Sequence, residues 1–191
     1  PVVLVDRCEN DTPADAVVLD NVDAAQRLIR HLIDAGHRRI AFFYGAASAT
    51  GRQRLQGYQE AMAAAGLAPV AQALKPTADE ASAAMRRFLQ EGGSLPDAVV
   101  ASSGLILLGL VQALREAELR FPDDVALAGF DDMPWTRVVT PAITVMAQPT
   151  YDIGRSAIER LLARIAQPAQ AVRRIVLRGE LLVRGSSIHT T

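Results

Sequence analysis

Asp20-Asn21-Val22-Asp23-Ala24-Ala25-Gln26-Arg27-Leu28-Ile29-Arg30-His31-Leu32-Ile33-Asp34-Ala35-Gly36, followed by His37-Arg38-Arg39-Ile40-Ala41-Phe42-Phe43-Tyr44, encodes a complete helix–strand unit. Asp20-Asn21 can cap a helix N-terminus, and Gly36 can take the left-handed conformation that ends one. Between them Ala25, Leu28, Ile29, Leu32 and Ile33 recur at helical spacing and form one wide apolar face, which predicts a helix over 22–35. Ile40-Ala41-Phe42-Phe43 is then apolar without alternation, as expected of a strand buried on both faces.

Reading outward, the same alternation recurs. Short apolar runs predict strands at 2–5, 17–19, 98–101, 125–129 and 143–146, with two later ones at 174–177 and 181–184. Longer periodic stretches predict helices at 52–65, 79–90, 105–118 and 151–165, the last striped by Ile153, Ala157, Leu161 and Ile165. Strands alternating with helices of this length imply α/β architecture: parallel sheets built from βαβ units, with helices on both faces. Pro1-Val2-Val3-Leu4-Val5 reads as a buried strand that opens the chain abruptly, which suggests a fragment of something longer.

Composition narrows the functional classes. The 191 residues suffice for one large domain or two small lobes, and half are hydrophobic. A formal net charge of −1 argues against a nucleic-acid surface within this chain, so it should bind DNA no better than a neutral protein does. The one cysteine, Cys8, rules out an internal disulfide, which fits a reducing compartment. The apolar runs are too short to span a bilayer.

Catalytic and cofactor signatures fail on inspection. Gly45 to Gly51 resembles a phosphate loop, but the glycines are one residue too far apart and no Lys-Ser/Thr pair follows. There is no G-x-G-x-x-G, and Ser102-Ser103-Gly104 lacks the preceding glycine of a nucleophile elbow. His31, His37 and His189 lack metal-ligand spacing with one another or with Cys8. His31 and His37 flank a helix end, where imidazoles can stabilise the last carbonyls. No cofactor, metal or enzymatic activity is expected.

Three blocks, in order and spread over almost the whole chain, resemble the LacI/GalR transcriptional regulators. The first is Asp20-Asn21-x-x-Ala24-Ala25, continuing through His31-Leu32-Ile33-x-x-Gly36-His37-Arg38-Arg39-Ile40-Ala41 to Gly45. The second is Arg54-x-x-Gly57-Tyr58-x-x-Ala61, ending at Ala65-Gly66-Leu67. The third runs from Pro122-x-Asp124-Val125-Ala126-Leu127-Ala128-Gly129-Phe130-Asp131-Asp132 through Pro141, Thr144 and Gln148-Pro149 to Arg184-Gly185-Ser186-Ser187. The resemblance implies a type I periplasmic-binding-protein-like core of two lobes, with the N-terminal lobe largely missing and no DNA-binding head. On that basis 1–19 end the N-terminal lobe, 20–145 form the C-terminal lobe, 146–166 return to the N-terminal lobe, and 167–191 cross back to finish the C-terminal one. It also implies a cytoplasmic homodimer that senses a sugar or similar effector between its lobes and meets operator DNA only through the absent head. A solute-binding protein of a sugar transporter is the alternative on the same fold.

Candidate site residues come from two sources. Ligands of open α/β sheets sit at the carboxyl ends of strands, and there the pattern places Asp6, Ser103 and Asp131. Asp131, acceptor-only when ionised, can hold two adjacent hydroxyls; with Asp132 it can instead cap a turn or a short helix over 133–138. The resemblance marks Asp131, Arg54, Thr50 and Asp6 as ligand contacts and puts Gln148 on the third crossover. The competing roles are a surface ion pair for Arg54, a loop or cap for Thr50, and lobe bridging for Asp6 and Gln148. Trp135, the lone tryptophan, can stack on a sugar face or pack in the core. Arg54 and Asp131 are both expected at accessible polar positions whose substitution leaves the fold intact. Two departures from the family pattern stand out. Ser103-Gly104 replaces a common Asn-Asp, pointing to a larger or less polar effector, and Glu118 stands where glycine commonly ends a helix.

Overall fold

The computed structural model describes residues 1–9, 12–91 and 94–188; His189 lies outside them. Its strands are β1 (Val3–Val5), β2 (Asp15–Leu19), β3 (Ile40–Gly45), β4 (Val70–Leu74), β5 (Ala98–Ala101), β6 (Ala126–Phe130), β7 (Thr144–Ala147), β8 (Arg174–Leu177) and β9 (Glu180–Leu182). Its helices are α1 (Asn21–Asp34), α2 (Ala49–Ala64), α3 (Ala78–Gln90), α4 (Gly104–Glu116), α5 (Pro134–Val138) and α6 (Thr150–Ala166).

The strands form two sheets. The larger has the order β4-β3-β5-β6-β7-β9 and the smaller β1-β2-β8. All pairings are parallel except β7–β9, an antiparallel edge. The larger sheet is covered on both faces. Ala41, Phe43, Val99, Ala101 and Leu127 point toward α3 and α4, and Ile40, Phe42, Ala98, Val100, Ala128 and Phe130 toward α1 and α2. This two-sided burial is why those strands read as unbroken apolar runs. The paired helices approach closely: a Cβ on Gly57 would lie 2.3 Å from the Val22 carbonyl oxygen, and one on Gly109 2.2 Å from that of Ala78.

Residues 1–19 supply β1 and β2, and 20–145 supply α1 through α5 and most of the larger sheet. β7 stays in the larger sheet to Ala147, whereupon α6 crosses to pack on β1 and β2. β8 then completes the smaller sheet before the chain returns as β9. Of the predicted α6 stripe, Ile153, Ala157 and Leu161 face inward, while Ile165 is exposed together with Tyr151, Ile158 and Leu162.

Three points qualify these expectations. Within this chain the opening strand pairs with β2 alone among the described residues, and Val2 and Val5 are exposed. β4 falls in a stretch to which the sequence assigns no element; it is an exposed edge with little β-branched character, so neither periodicity nor propensity marks it. α2 starts at Ala49, three residues early, because the Ser48 hydroxyl accepts the Gly51 amide as its N-cap.

His31 and His37 do more than neighbour a helix end. The His31 ring bonds the Ser187 hydroxyl at 2.8 Å and the His37 ring the Ser187 carbonyl at 3.0 Å. Thr144 shares the Ser187 hydroxyl at 2.6 Å, and Ser186 Oγ donates to the Leu127 carbonyl. The Arg184–Ser187 motif is thus a polar pin that fixes the returning chain against β6, β7 and α1.

Candidate functional site

The carboxyl ends of β3, β5 and β6 lie side by side in the larger sheet, and each strand feeds a loop or helix that lines one cleft. The cavity there measures about 460 Å³. Four of the residues predicted from sequence meet on its wall: Thr50 in the first turn of α2, Ser103 at the N-cap of α4, Asp131 just past β6, and Trp135 in α5. Trp135 also packs against the core formed with α3 and α4.

Asp131 is held in place from two sides. Its Oδ2 accepts the Gly104 amide at 3.0 Å, at the start of α4, and its Oδ1 accepts Gln148 Nε2 at 2.8 Å. Its backbone has φ 75°, which few L-residues adopt, although Asp tolerates it better than most. Asp6, at the end of β1, has φ 65°. Strained positions of this kind persist where surrounding structure over-determines them, and they cluster at functional sites. Asp132 turns away from the cleft toward Arg137, Arg184 and Thr136. Desolvation alone would raise its pKa, yet hydrogen bonds from Arg137 and then Arg184 hold its carboxyl below the usual range. The adjacent aspartates thus have separate roles, one facing the cleft and one anchoring the returning chain.

Arg54 is not at an accessible helix start. Because α2 begins early, it falls in the second turn and is only 3% exposed. Its Nε donates to Asn21 Oδ1 at 2.8 Å, its Nη1 donates to the Ser102 carbonyl at 2.6 Å, and its guanidinium lies 4.0 Å from the centre of the Phe130 ring. Burial pushes its pKa down, opposed by the negative charges of Asp131 and Asp6. It joins α1, α2, β5 and β6 directly beneath the cleft, so the expectation that its loss would leave the fold intact is corrected. Gln148 borders a second opening on the far side of Asp131, lined also by Arg137, Thr150 and Glu180. Asp6 lies outside both cavity walls and pairs with Arg7 at 3.7 Å.

Sequence reasoning missed Arg7, Ser48, Leu105, Leu108 and Met133, all on the first cavity's wall. Arg7 follows Asp6 at a strand end, and the rule that selected Asp6 would have included it. The glycines of the apparent phosphate loop serve packing: a Cβ on Gly51 would lie 2.1 Å from the Gly45 carbonyl oxygen. Among the described residues no group of three or more His, Cys, Asp or Glu is placed to hold a metal, and no helix is long and apolar enough to cross a membrane.

Comparison with known proteins places this geometry. A family profile described as a periplasmic binding protein-like domain matches residues 29–187. The HTH-type transcriptional regulator PtxS of Pseudomonas aeruginosa is 35% identical over 188 residues, covering 98% of this chain and 55% of the relative. The ribose operon repressor of Escherichia coli is 34% identical over 192 residues, covering 98% of this chain and 58% of the repressor. A solved complex of the transcriptional regulator CelR with cellobiose superposes with a TM-score of 0.90 at 35% identity, covering 97% of this chain and 58% of that one. The chain therefore spans just over half the length of the curated relatives it matches.

Proposed function

The chain belongs to the periplasmic-binding-protein-like domain family in its LacI/GalR form, and from that premise we propose that it is the effector-sensing core of a DNA-binding transcriptional regulator. A sugar or closely related polyol binds in the cleft at the carboxyl ends of β3, β5 and β6. The single observation that carries this reading is Asp131: a half-buried carboxylate on a strained turn, fixed by Gly104 and Gln148, with an edge on the cavity wall. A carboxylate has about four acceptor sites, so two remain for ligand hydroxyls. Ser103 and Thr50 offer hydroxyls, and Trp135 offers a ring face. Arg54 acts from beneath, its charge set against Asp131. Gln148, bonded to Asp131, and Asp6, at the end of β1 and off the cavity wall, lie on the connections to the smaller sheet and would relay occupancy of the cleft rather than touch the ligand. The names of the ribose repressor and of the cellobiose complex support a sugar as the effector class.

The regulator works without catalysis or cofactor, as a cytoplasmic homodimer, and meets operator DNA through a helix-turn-helix segment outside this chain. Ligand biases the relative orientation of the lobes only if it binds the two states unequally, and couplings of about 1–3 kcal/mol are typical. The test uses the whole regulator, an operator fragment and a sugar panel. A cognate sugar should change operator affinity by about 5- to 150-fold and raise the melting temperature. Operator affinity indifferent to a sugar that binds, or turnover of that sugar, would refute the proposal.

A further inference from the structure

Two sides of the cleft belong to different sheets. Arg7 lies on the segment that leaves β1 of the smaller sheet, whereas Ser48 and Thr50 open α2, which covers the larger one. An ion pair joins these two segments. Arg52 Nη2 donates to both carboxylate oxygens of Glu9, at 2.8 and 3.0 Å, and Arg52 Nη1 donates to the Ala46 carbonyl at 3.2 Å.

Each end of the pair is anchored in its own unit. The chain turns out of β1 at Asp6, whose φ of 65° is left-handed, and the Arg7 amide closes that turn on the Val5 carbonyl. Cys8 then packs with Leu4, Ala16 and Val18 in the core of the smaller sheet, and its thiol donates to the Glu9 carbonyl. Glu9 therefore moves with the smaller sheet. Arg52 stands in the first turn of α2, where its amide bonds the Ser48 carbonyl, and moves with the larger one. A cation in the first turn of a helix is disfavoured by the helix dipole, so Arg52 owes its place to Glu9 rather than to α2. A strained turn such as that at Asp6 persists only where its surroundings over-determine it, and the ion pair is one such restraint.

Other ion pairs stay within one unit. Arg39–Asp97, Arg86–Glu116 and Arg184–Asp132 belong to the larger sheet and its connections, and Arg160–Asp15 and Arg164–Asp15 to the smaller. The side chains of Arg52 and Glu9 are 49% and 66% exposed, so their pair adds little to global stability. Its leverage lies elsewhere. A contact made in one arrangement of two lobes and lost in the other shifts their balance by its whole strength, because arrangements that interconvert differ little in free energy.

We infer that the Glu9–Arg52 pair is a latch between the two sheets that holds the sides of the cleft at the separation that binds effector. This rests on the sugar-sensing reading above and specifies how its site is regulated.

The experiment is charge reversal and charge exchange in the whole regulator: Glu9→Arg, Arg52→Glu and the two together. Both positions are solvent-facing, and a glutamate in the first turn suits the helix dipole, so the melting temperature of the ligand-free protein should barely move. Calorimetric titration with ribose, glucose and cellobiose identifies a sugar that the parent binds. Each single reversal turns an attraction into a repulsion and should weaken that binding about three- to tenfold. The double variant restores opposite charges and should return to within about twofold of the parent. Hydrogen exchange without sugar should quicken at the amides of 6–9 and 49–52 in both single variants and slow again in the double one. Affinity indifferent to either reversal, or a double variant as weak as the two single losses combined, overturns the latch and leaves sugar sensing standing. If the parent binds none of the three sugars, sugar sensing fails and the exchange measurement decides the latch alone: rates quickened by each reversal and restored by the double variant uphold it, and unchanged rates overturn it.

Discussion

Asp15 and Asp131 are both aspartates at a strand end with arginine close by, but their surroundings differ. Asp15, 1% exposed at the start of β2, accepts hydrogen bonds from Arg164 at 2.8 and 3.1 Å and from the Arg173 amide at 2.7 Å, and Arg160 pairs with it at 2.9 Å. Arg160 in turn donates to Gln170 and to the Ala171 carbonyl. The hydrogen bonds from Arg164, against the cost of desolvation, hold the Asp15 carboxyl well below the usual range, with help from Arg173 and Arg160. That cluster ties α6 to β2 and to the segment before β8. Asp131 has one amide and one amide side chain as partners, a strained backbone and an edge on a cavity. A saturated carboxylate serves the fold, and an unsaturated one at a cavity is free to take a ligand.

The contrast is broken most directly by removing each charge. Asp15→Ala leaves Arg160 and Arg164 without their anion, and breaking a buried ion pair in this way costs about 3–5 kcal/mol. Urea denaturation should show that loss in full, with affinity per folded molecule unchanged. Arg54 stands between the two cases. Arg54→Ala strands Asn21 Oδ1 and the Ser102 carbonyl, and each stranded buried partner costs about 1–3 kcal/mol, so both the melting temperature and effector affinity should fall. Asp131→Asn keeps a residue that tolerates positive φ but removes the charge. It should weaken effector binding about tenfold to a hundredfold by calorimetry, with little change in the melt of the free protein. A clearly lowered melt with unchanged affinity for Asp131→Asn would mean that its carboxylate serves the fold as Asp15 does.

What was legible in the sequence follows the same division. The helix and strand sequence around Asp20–Tyr44 was readable because capping, periodicity and two-sided burial agree there. β4 was not, because an exposed edge strand need not be apolar. Ser103 and Asp131 share one wall as strand ends in a parallel sheet should, but Asp6, chosen by the same rule, lies off it, and Thr50 was marked by the family resemblance rather than by the pattern. The burial of Arg54 was not legible, because it depends on α2 starting one turn early and on Asn21 and Phe130, which are distant in sequence. The place of Leu105 and Leu108 on the cavity wall was also invisible: they look like core residues until the sheet shows which face of α4 it covers.

A third polar cluster, at His31, refines the comparison through pH. Burial lowers the His31 pKa below its ordinary value, and the nearby charge of His37 adds to this while Asp34 opposes it. The unfolded chain therefore takes up the proton more readily than the folded one. Stability contributed by neutral His31 is present above the ordinary imidazole value of about 6.5 and declines as pH falls through it toward the lower folded value. Denaturant midpoints should drop as pH falls from neutral into this window, and His31→Gln should flatten that dependence. An unaltered slope in the variant would show that the Ser187 pin is indifferent to the charge on His31.

The smallest effect concerns backbone strain. Among the described residues three non-glycine residues adopt positive φ: Asp6 and Asp131 at strand ends, and Glu118 at φ 57°, just past the end of α4. Glu118 has no contact with the cleft, and its left-handed backbone closes the helix as glycine ordinarily does. A residue with a Cβ pays roughly 1–2 kcal/mol for that conformation, offset by about 0.4–1 kcal/mol because glycine makes the unfolded chain more flexible. Glu118→Gly should therefore stabilise the protein by about 0.5–1 kcal/mol and leave effector affinity untouched. Asp131→Gly relieves the same kind of strain but removes the carboxylate, so it should lose affinity whatever happens to the melt. Paired melts and titrations of the two variants decide whether the strain at Asp131 is kept for the sake of its side chain. If Asp131→Gly bound effector as well as the parent, the turn would be a matter of chain closure alone, as at Glu118.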